Sequence, residues 1–254
     1  MKLSKITTGV QCYSSEEELS SRSEMYDHFK QCPIPEDQIL SNMGLFLNSK
    51  DLSRLLFMDF LYRQAKETQG VILDLGTRWG QNAAIFSACR GLYEPFNRHR
   101  KIVAFDTFSG FPGVTDQDGD SNLMEAGSVC VTEDYENYLK RVLHLQEKDN
   151  PISHIKKFEV VKGDACQTLE KYLKDNTHTI VSLAYFDFDI YEPTKVCLNL
   201  IKDRLVKGSV VGFDEMNDHD SPGETLAVME TLGLRNIRLK RFPYTSRVSY
   251  FVVE

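Results

Sequence analysis

The sequence predicts an α/β fold: a mostly parallel sheet with helices as its crossovers, closed by an antiparallel pair of strands. Three observations lead there. Short apolar runs, at 71–75, 101–106, 157–165, 180–186 and 209–213, alternate with stretches of helical spacing, the pattern of parallel strands joined by helices. Nearly every run ends in an acid or a glycine, the residue types that serve ligands beyond the carboxyl ends of such strands. The last two runs, NIRLKRF and VSYFVVE, are separated only by the turn PYTSR, too short for a crossover.

The composition bounds the rest. A chain of 254 residues with 41% hydrophobic side chains is one large domain, or one domain with an extension. Lys and Arg number 30 against 37 Asp and Glu, a net charge of −7, which argues against non-specific nucleic-acid binding. None of Cys12, Cys32, Cys89, Cys130, Cys166 and Cys197 forms a CxxC pair, so a zinc site is unsupported. MKLSKITTGVQ lacks the apolar core of a signal peptide, and no run approaches the ~18 apolar residues of a membrane span. The expectation is a cytoplasmic protein with reduced thiols and no nucleic-acid or membrane partner.

In chain order, residues 1 to about 35 are polar, with the acidic serine-rich run SSEEELSSRSE, and read as a solvated, loosely ordered arm. Over 51–62, Leu52, Leu55, Leu56, Met58, Phe60 and Leu61 cover most of a helix surface, so this helix packs on the core or on a second subunit. With the apolar NMGLFL before it, it predicts a helical N-terminal extension over 1–68, acting as a lid, an oligomer contact or both. The main domain then spans 69–254.

Strand 71–75 meets a turn from Gly76 to Gly80 and an Ala-rich helix. Glycines there let backbone approach a ligand, and the helix N-terminus points donors at it. The Gly-x-x-x-Gly spacing departs from the dinucleotide fingerprint. Strand 101–106 ends at Asp106, where an α/β nucleotide fold places a carboxylate to accept from ribose hydroxyls. Residues 107–131 form a long Gly-, Asp- and Ser-rich loop, predicted as a lid because loops of this length are usually functional or disordered. Its DQDGD lacks the remaining spacing of a calcium loop. A helix over 133–146, strand 157–165 carrying Gly163 and Asp164, and a helix over 167–173 follow. After the central stretch come the loop 217–223 and a helix over 224–232.

The central stretch, 179–217, holds two apolar runs ending in acids. The first runs into Asp187 and Asp189, the second into Asp214 and Glu215, with a helical stretch from Val196 to Leu205 between them, closed by Lys207-Gly208. Adjacent parallel strands lie about 5 Å apart, so Asp187, Asp214 and Glu215 can converge. A hard divalent cation with oxygen ligands is the natural means of neutralising them. His219, four residues after Glu215, is a candidate for binding substrate or accepting a proton, against the alternative of a solvated loop histidine. Tyr191 reads more simply as a packing residue.

On DLGTRWGQN, FDTFSGFPGV, VKGDACQTL, FDFDIYEPT and LVKGSVVGFDE followed by PGETLAV, the sequence resembles the macrocin O-methyltransferase family. These are S-adenosylmethionine-dependent enzymes that methylate sugar hydroxyls. The resemblance covers roughly residues 68 to 235. It implies a Rossmann-like class I methyltransferase fold with a seven-stranded, mostly parallel sheet and an antiparallel last strand. It implies S-adenosylmethionine as cofactor, with Asp74, Gly76, Gly80, Asp106 and Asp164 at its site. It also implies Mg2+ or another divalent cation on Asp187, Asp214 and Glu215, with Asp189 or Asp187 as general base. The acceptor would be a sugar, nucleotide-linked or in a glycoside, with Tyr191 and His219 on its side, and the enzyme a homodimer or higher homo-oligomer. One departure is Glu215, where the family commonly has Asp. A phenolic acceptor and a non-catalytic nucleotide-binding module are the competing expectations. A nicotinamide dehydrogenase is disfavoured, since the carboxylate cluster has no role in hydride transfer.

Overall fold

The computed structural model describes residues 14–254; residues 1–13, with Cys12, lie outside the described residues. Seven strands form one sheet in the order β3-β2-β1-β4-β5-β7-β6. They are β1 (Val71–Leu75), β2 (Ile102–Asp106), β3 (Phe158–Lys162), β4 (Val181–Phe186), β5 (Leu205–Phe213), β6 (Lys240–Arg241) and β7 (Ser249–Val252). Strands β1 to β5 pair in parallel, and β7 runs antiparallel to both β5 and β6. The order reverses between β1 and β4, and in such sheets the ligand crevice opens at that point beyond the strand ends.

The helices are α1 (Glu16–Lys30), α2 (Glu36–Ile39), α3 (Ser49–Ala65), α4 (Gln81–Tyr93), α5 (Tyr135–Lys148), α6 (Ala165–Asp175), α7 (Tyr191–Ile201) and α8 (Gly223–Thr231). Helices α3 to α8 cover the two faces of the sheet. Phe57 and Leu61 of α3, Phe86 of α4 and Leu139 of α5 pack on one face; Leu169 of α6, Leu198 of α7 and Val228 of α8 pack on the other. Strand β4 lies between these layers and is buried at every position, which is why it reads as a continuous apolar run. Its side chains still alternate, Leu183 and Tyr185 facing α3 and Ala184 and Phe186 facing α7.

Three sequence expectations are adjusted. The arm before residue 35 contains a regular helix. In α1, Ser15 and Glu18 form a reciprocal capping box, and Glu16, Glu17 and Glu18 fill the first turn, where acids suit the helix dipole. Its solvated character holds, since α1 buries no residue. Leu205 belongs to β5, paired with Val181, and not to the preceding helix, which ends at Ile201. Gly208 has φ of 90° and marks an irregular position inside the strand, although Lys207-Gly208 resembles a helix stop. In α3, Phe57, Met58, Leu61, Tyr62 and Ala65 are buried while Leu52 and Leu56 are exposed. The helix therefore rests on the sheet with one side and leaves apolar atoms on the other. Leu40, Met43, Leu45 and Leu47 just before it are exposed as well.

Candidate active site

A cavity of about 1580 Å³ lies over the carboxyl ends of β1 to β5 and is lined by Gly76, Asp106, Asp164, Asp187 and Asp214 among others. Single-ligand sites usually occupy roughly 300–1,000 Å³, so this one has room for two ligands side by side. Its chemistry divides the same way: a backbone-rich half over β1 to β3 and an acidic half over β4 and β5.

The first half is built by the turn after β1. Gly76 has φ of 93°, and a Cβ there would stand 2.1 Å from the Asp187 carbonyl oxygen. No other residue fits without displacing the end of β4. Arg78 and Phe108 adopt the left-handed region, with φ of 46° and 56°. Their amides donate to Asp106, Arg78 N to Oδ2 at 2.8 Å and Phe108 N to Oδ1 at 2.6 Å. Left-handed backbone in non-glycine residues is strained and persists where its surroundings enforce it; here it aims two donors at one carboxylate. Each Asp106 oxygen keeps a second lone pair for a hydroxyl. Burial pushes Asp106 above the usual carboxylate range against the pull of these amides. Asp164 lines the cavity and also caps α6, accepting from Cys166 N at 2.9 Å. The acceptors and the glycine cradle fit the ribose and methionine portions of S-adenosylmethionine.

Two predicted residues stand behind this surface. Asp74 is fully buried; it accepts from the Thr77 hydroxyl and braces the turn from beneath. Burial raises it to about 6, with the Thr77 hydrogen bond opposing and Asp106 adding. Gly80, with φ of 79°, faces Leu139 of α5, 2.2 Å from where its Cβ would be, so it sets how closely α5 approaches the turn.

In the acidic half, the sheet's hydrogen bonding continues one residue past the strands. Asp187 N donates to Leu75 O at 2.8 Å, and Asp214 N donates to Phe186 O at 3.0 Å. That register brings oxygens of Asp187, Asp214 and Glu215 within 4.8 Å of one another. Asp189, with φ of 62°, lines the same cavity. His219 projects into solvent, 99% exposed and 3.6 Å from Asp220. Tyr191 is buried against α8, its hydroxyl donating to Glu230 at 2.6 Å.

Four further groups, unremarked in the sequence, complete the cluster. Arg54 of α3 donates through Nη1 to Asp187 at 3.2 Å and contacts Asp214 through Nη2 at 2.7 Å. Asn82 of α4 donates to Asp187 at 3.1 Å. Arg247, from the hairpin between β6 and β7, reaches Glu215 at 3.1 Å and Asp218 at 3.3 Å. Glu224, the first-turn acid of α8, accepts from the amides of Phe188 at 3.2 Å and Glu215 at 3.1 Å. Burial works against charge on Arg54, yet Asp214, Tyr185 and Asp187 outweigh it and hold the guanidinium protonated. Burial also raises Asp214, but Arg54 leads the groups that pull it below its ordinary value. Burial and neighbouring acids push Asp187, Glu215 and Glu224 well up, and burial raises Asp189.

Six acids, with Asp218 counted, thus gather around two arginines, and Glu215 Oε2 is buried without a hydrogen-bond partner among the described residues. An all-oxygen donor set, an excess of acids over arginines and an unsatisfied carboxylate oxygen fit a hard divalent cation. Arg54 was hidden because it sits in an otherwise apolar helix stretch. A cluster of buried acids does signal that cations must come from elsewhere in the chain.

No protein-family model matches the chain, and no curated protein matches it. Among solved structures, the calicheamicin methyltransferase CalS11 superposes with a TM-score of 0.92 at 38% identity, covering 96% of this chain and 97% of that one. The apo structure of CalS11, described as a TDP-rhamnose 3'-O-methyltransferase of calicheamicin biosynthesis, superposes with a TM-score of 0.84 at 36% identity, covering 95% and 96%. The O-methyltransferase NovP shares the fold at 16% identity and a TM-score of 0.59 over 79% of each chain. With strand order, cofactor turn and acidic edge all in place, the chain belongs to the macrocin O-methyltransferase-like family of S-adenosylmethionine-dependent sugar O-methyltransferases.

Proposed function

We propose that this enzyme methylates a ring hydroxyl of a nucleotide-linked deoxysugar of the TDP-rhamnose class, and that it needs a divalent cation such as Mg2+ to do so. What carries the reading is the placement of Asp187, Asp214 and Glu215, with oxygens within 4.8 Å of one another, beside the cofactor half of one cavity. CalS11, 38% identical over nearly its whole length, is described as acting on TDP-rhamnose at the 3'-hydroxyl.

In this proposal Asp106 accepts from the ribose hydroxyls, Gly76 lets the methionine portion lie against backbone, and Asp164 borders the adenine. Asp187, Asp214 and Glu215 hold the cation, which when bound lowers the pKa of a hydroxyl and fixes its position. Asp189 takes the hydroxyl proton, with Asp187 the other candidate. A carboxyl whose proton affinity is raised by burial is a better base than a solvated one. Transfer of a methyl group from a sulfonium needs alignment above all, and the shared cavity supplies it. The loop over 107–131, which contributes Phe111 and Leu123 to a small cluster with Ile190, acts as the lid that excludes water. Exposed apolar side chains over 19–47 serve contact with a second copy of the chain.

The test is methyl transfer from S-adenosylmethionine to TDP-rhamnose, followed by mass spectrometry. One methyl group is gained with Mg2+ and none with EDTA, and Asp187→Asn lowers the rate about 100-fold or more. Transfer indifferent to EDTA removes the cation, and absence of transfer to any nucleotide sugar removes the acceptor class.

A further inference from the structure

Arginines 54, 78 and 247 and two more cations, Arg22 and Lys50, line the cavity. Arg54 and Arg247 are committed to the acidic cluster. Arg78 sits in the cofactor turn with its guanidinium over Trp79. Arg22 and Lys50 are exposed, and among the described residues neither makes an ion pair. They share a polar recess of about 370 Å³, which has Glu18, Arg22, Ser49 and Lys50 in common with the main cavity.

Three features set this pair apart from ordinary surface charge. Lys50 lies in the first turn of α3, where the helix dipole disfavours a cation. Helix stability therefore does not account for it, whereas an anion at that terminus would gain from both the dipole and the ammonium. Lys50 is also four residues from Arg54 on the same helix, one turn or about 6 Å of axis. Arg54 marks the acids that would receive the reacting hydroxyl, so Lys50 stands about one hexose ring away from the chemistry. Finally, two acids, Glu17 and Glu18, line the recess, yet among the described residues neither pairs with Arg22 or Lys50, and Glu18 Oε2 instead accepts from Ser15 N at 2.8 Å.

We infer that Arg22 and Lys50 form a diphosphate grip. With the sugar ring over the acidic cluster, the phosphates on its anomeric carbon fall between α1 and the start of α3. The inference rests on the acceptor proposed above and names the residues that select a nucleotide-linked sugar over an unphosphorylated one. It gives α1 a purpose as well: a helix that buries nothing of its own carries one wall of the substrate site.

The experiment is calorimetric binding of TDP, with inorganic pyrophosphate as a second probe, to the wild-type protein and to the Arg22→Ala/Lys50→Ala double variant. The exchanged pair Arg22→Lys/Lys50→Arg serves as the charge-conserving control. The double alanine variant is expected to bind TDP about tenfold more weakly, with a shallower dependence on salt, while the exchanged pair stays within about threefold of wild type. KM for TDP-rhamnose should rise by the same factor with kcat nearly unchanged. Equal TDP affinity in the wild-type and alanine proteins overturns the grip, as does failure of the wild-type protein to bind TDP. If TDP binds and binding depends on the pair, yet no nucleotide sugar is methylated, it is the acceptor assignment that falls and the grip that stands.

Discussion

Asp106 is held by two amides whose residues both occupy the left-handed region, so its position is fixed before any ligand arrives. Asp106→Ala leaves those amides without their acceptor and removes the ribose contact proposed for this carboxylate. S-adenosylmethionine affinity should fall roughly 10- to 100-fold, the scale of hydrogen bonds to a charged group, measured by calorimetry. Affinity unchanged by the substitution would displace Asp106 from the cofactor site. The acids were legible at this scale because each ends an apolar run, a local signal. Their compensating cations were not, because Arg54 precedes Asp187 by 133 residues and Asp214 by 160 and nothing local marks it. Glu224 was hidden in the same way. It reads as an ordinary first-turn helix acid, and only the loop from Asp214 to α8 folds it under the amides of Phe188 and Glu215.

At the scale of elements, the turn from β1 into α4 concentrates the constraints. Gly76→Ala would force a Cβ against the Asp187 carbonyl at a φ that disfavours side chains. A cost of about 2–4 kcal/mol is expected, read as a melting temperature lower by roughly 5–10 °C in a chain of this length. Asp74 beneath the same turn gives a pH signature. Its carboxyl is raised to about 6 in the native protein, against about 3.9 in the unfolded chain. Above pH 6 both states are ionised and the native state bears the burial cost, at most roughly 3 kcal/mol. As pH falls from about 6 to 4 the native state takes up the proton first, and that cost disappears. Asp74→Asn should therefore melt higher than wild type near pH 7.5 and converge with it near pH 4; a difference independent of pH would contradict the assignment. Element types from residue 49 onward were largely readable from periodicity, whereas the helix over Glu16–Lys30 was not, because it buries no apolar face. The misread position, Leu205, lies where a glycine inside a strand imitates the end of a helix, and local punctuation does not distinguish the two.

Across the whole molecule, Leu19, Met25, Tyr26, Leu40 and Leu45 are apolar side chains left exposed within one stretch of the N-terminal segment, and exposed apolar surface of this kind marks contact sites. Light scattering at micromolar concentration should give the mass of a dimer or higher oligomer, and a monomer's mass would end that expectation. No helix among the described residues is long and apolar enough to cross a membrane. The mostly parallel sheet followed from the alternation of apolar runs with helical spacing, whereas its strand order, β3-β2-β1-β4-β5-β7-β6, and the placement of α1 at the cavity mouth follow from no periodic signal at all. The arrangement of the acidic cluster also bears on how the chain reaches its native state. The central pairing of β1 with β4 joins residues more than a hundred positions apart, and such long-range closures are slow. Once β4 and β5 are side by side, Asp187, Asp214 and Glu215 repel one another until Arg54 arrives on α3 and Arg247 on the last hairpin. The two arginines thus tie both ends of the chain to the centre of the sheet: the acids there are compensated only where α3 and the last hairpin have docked.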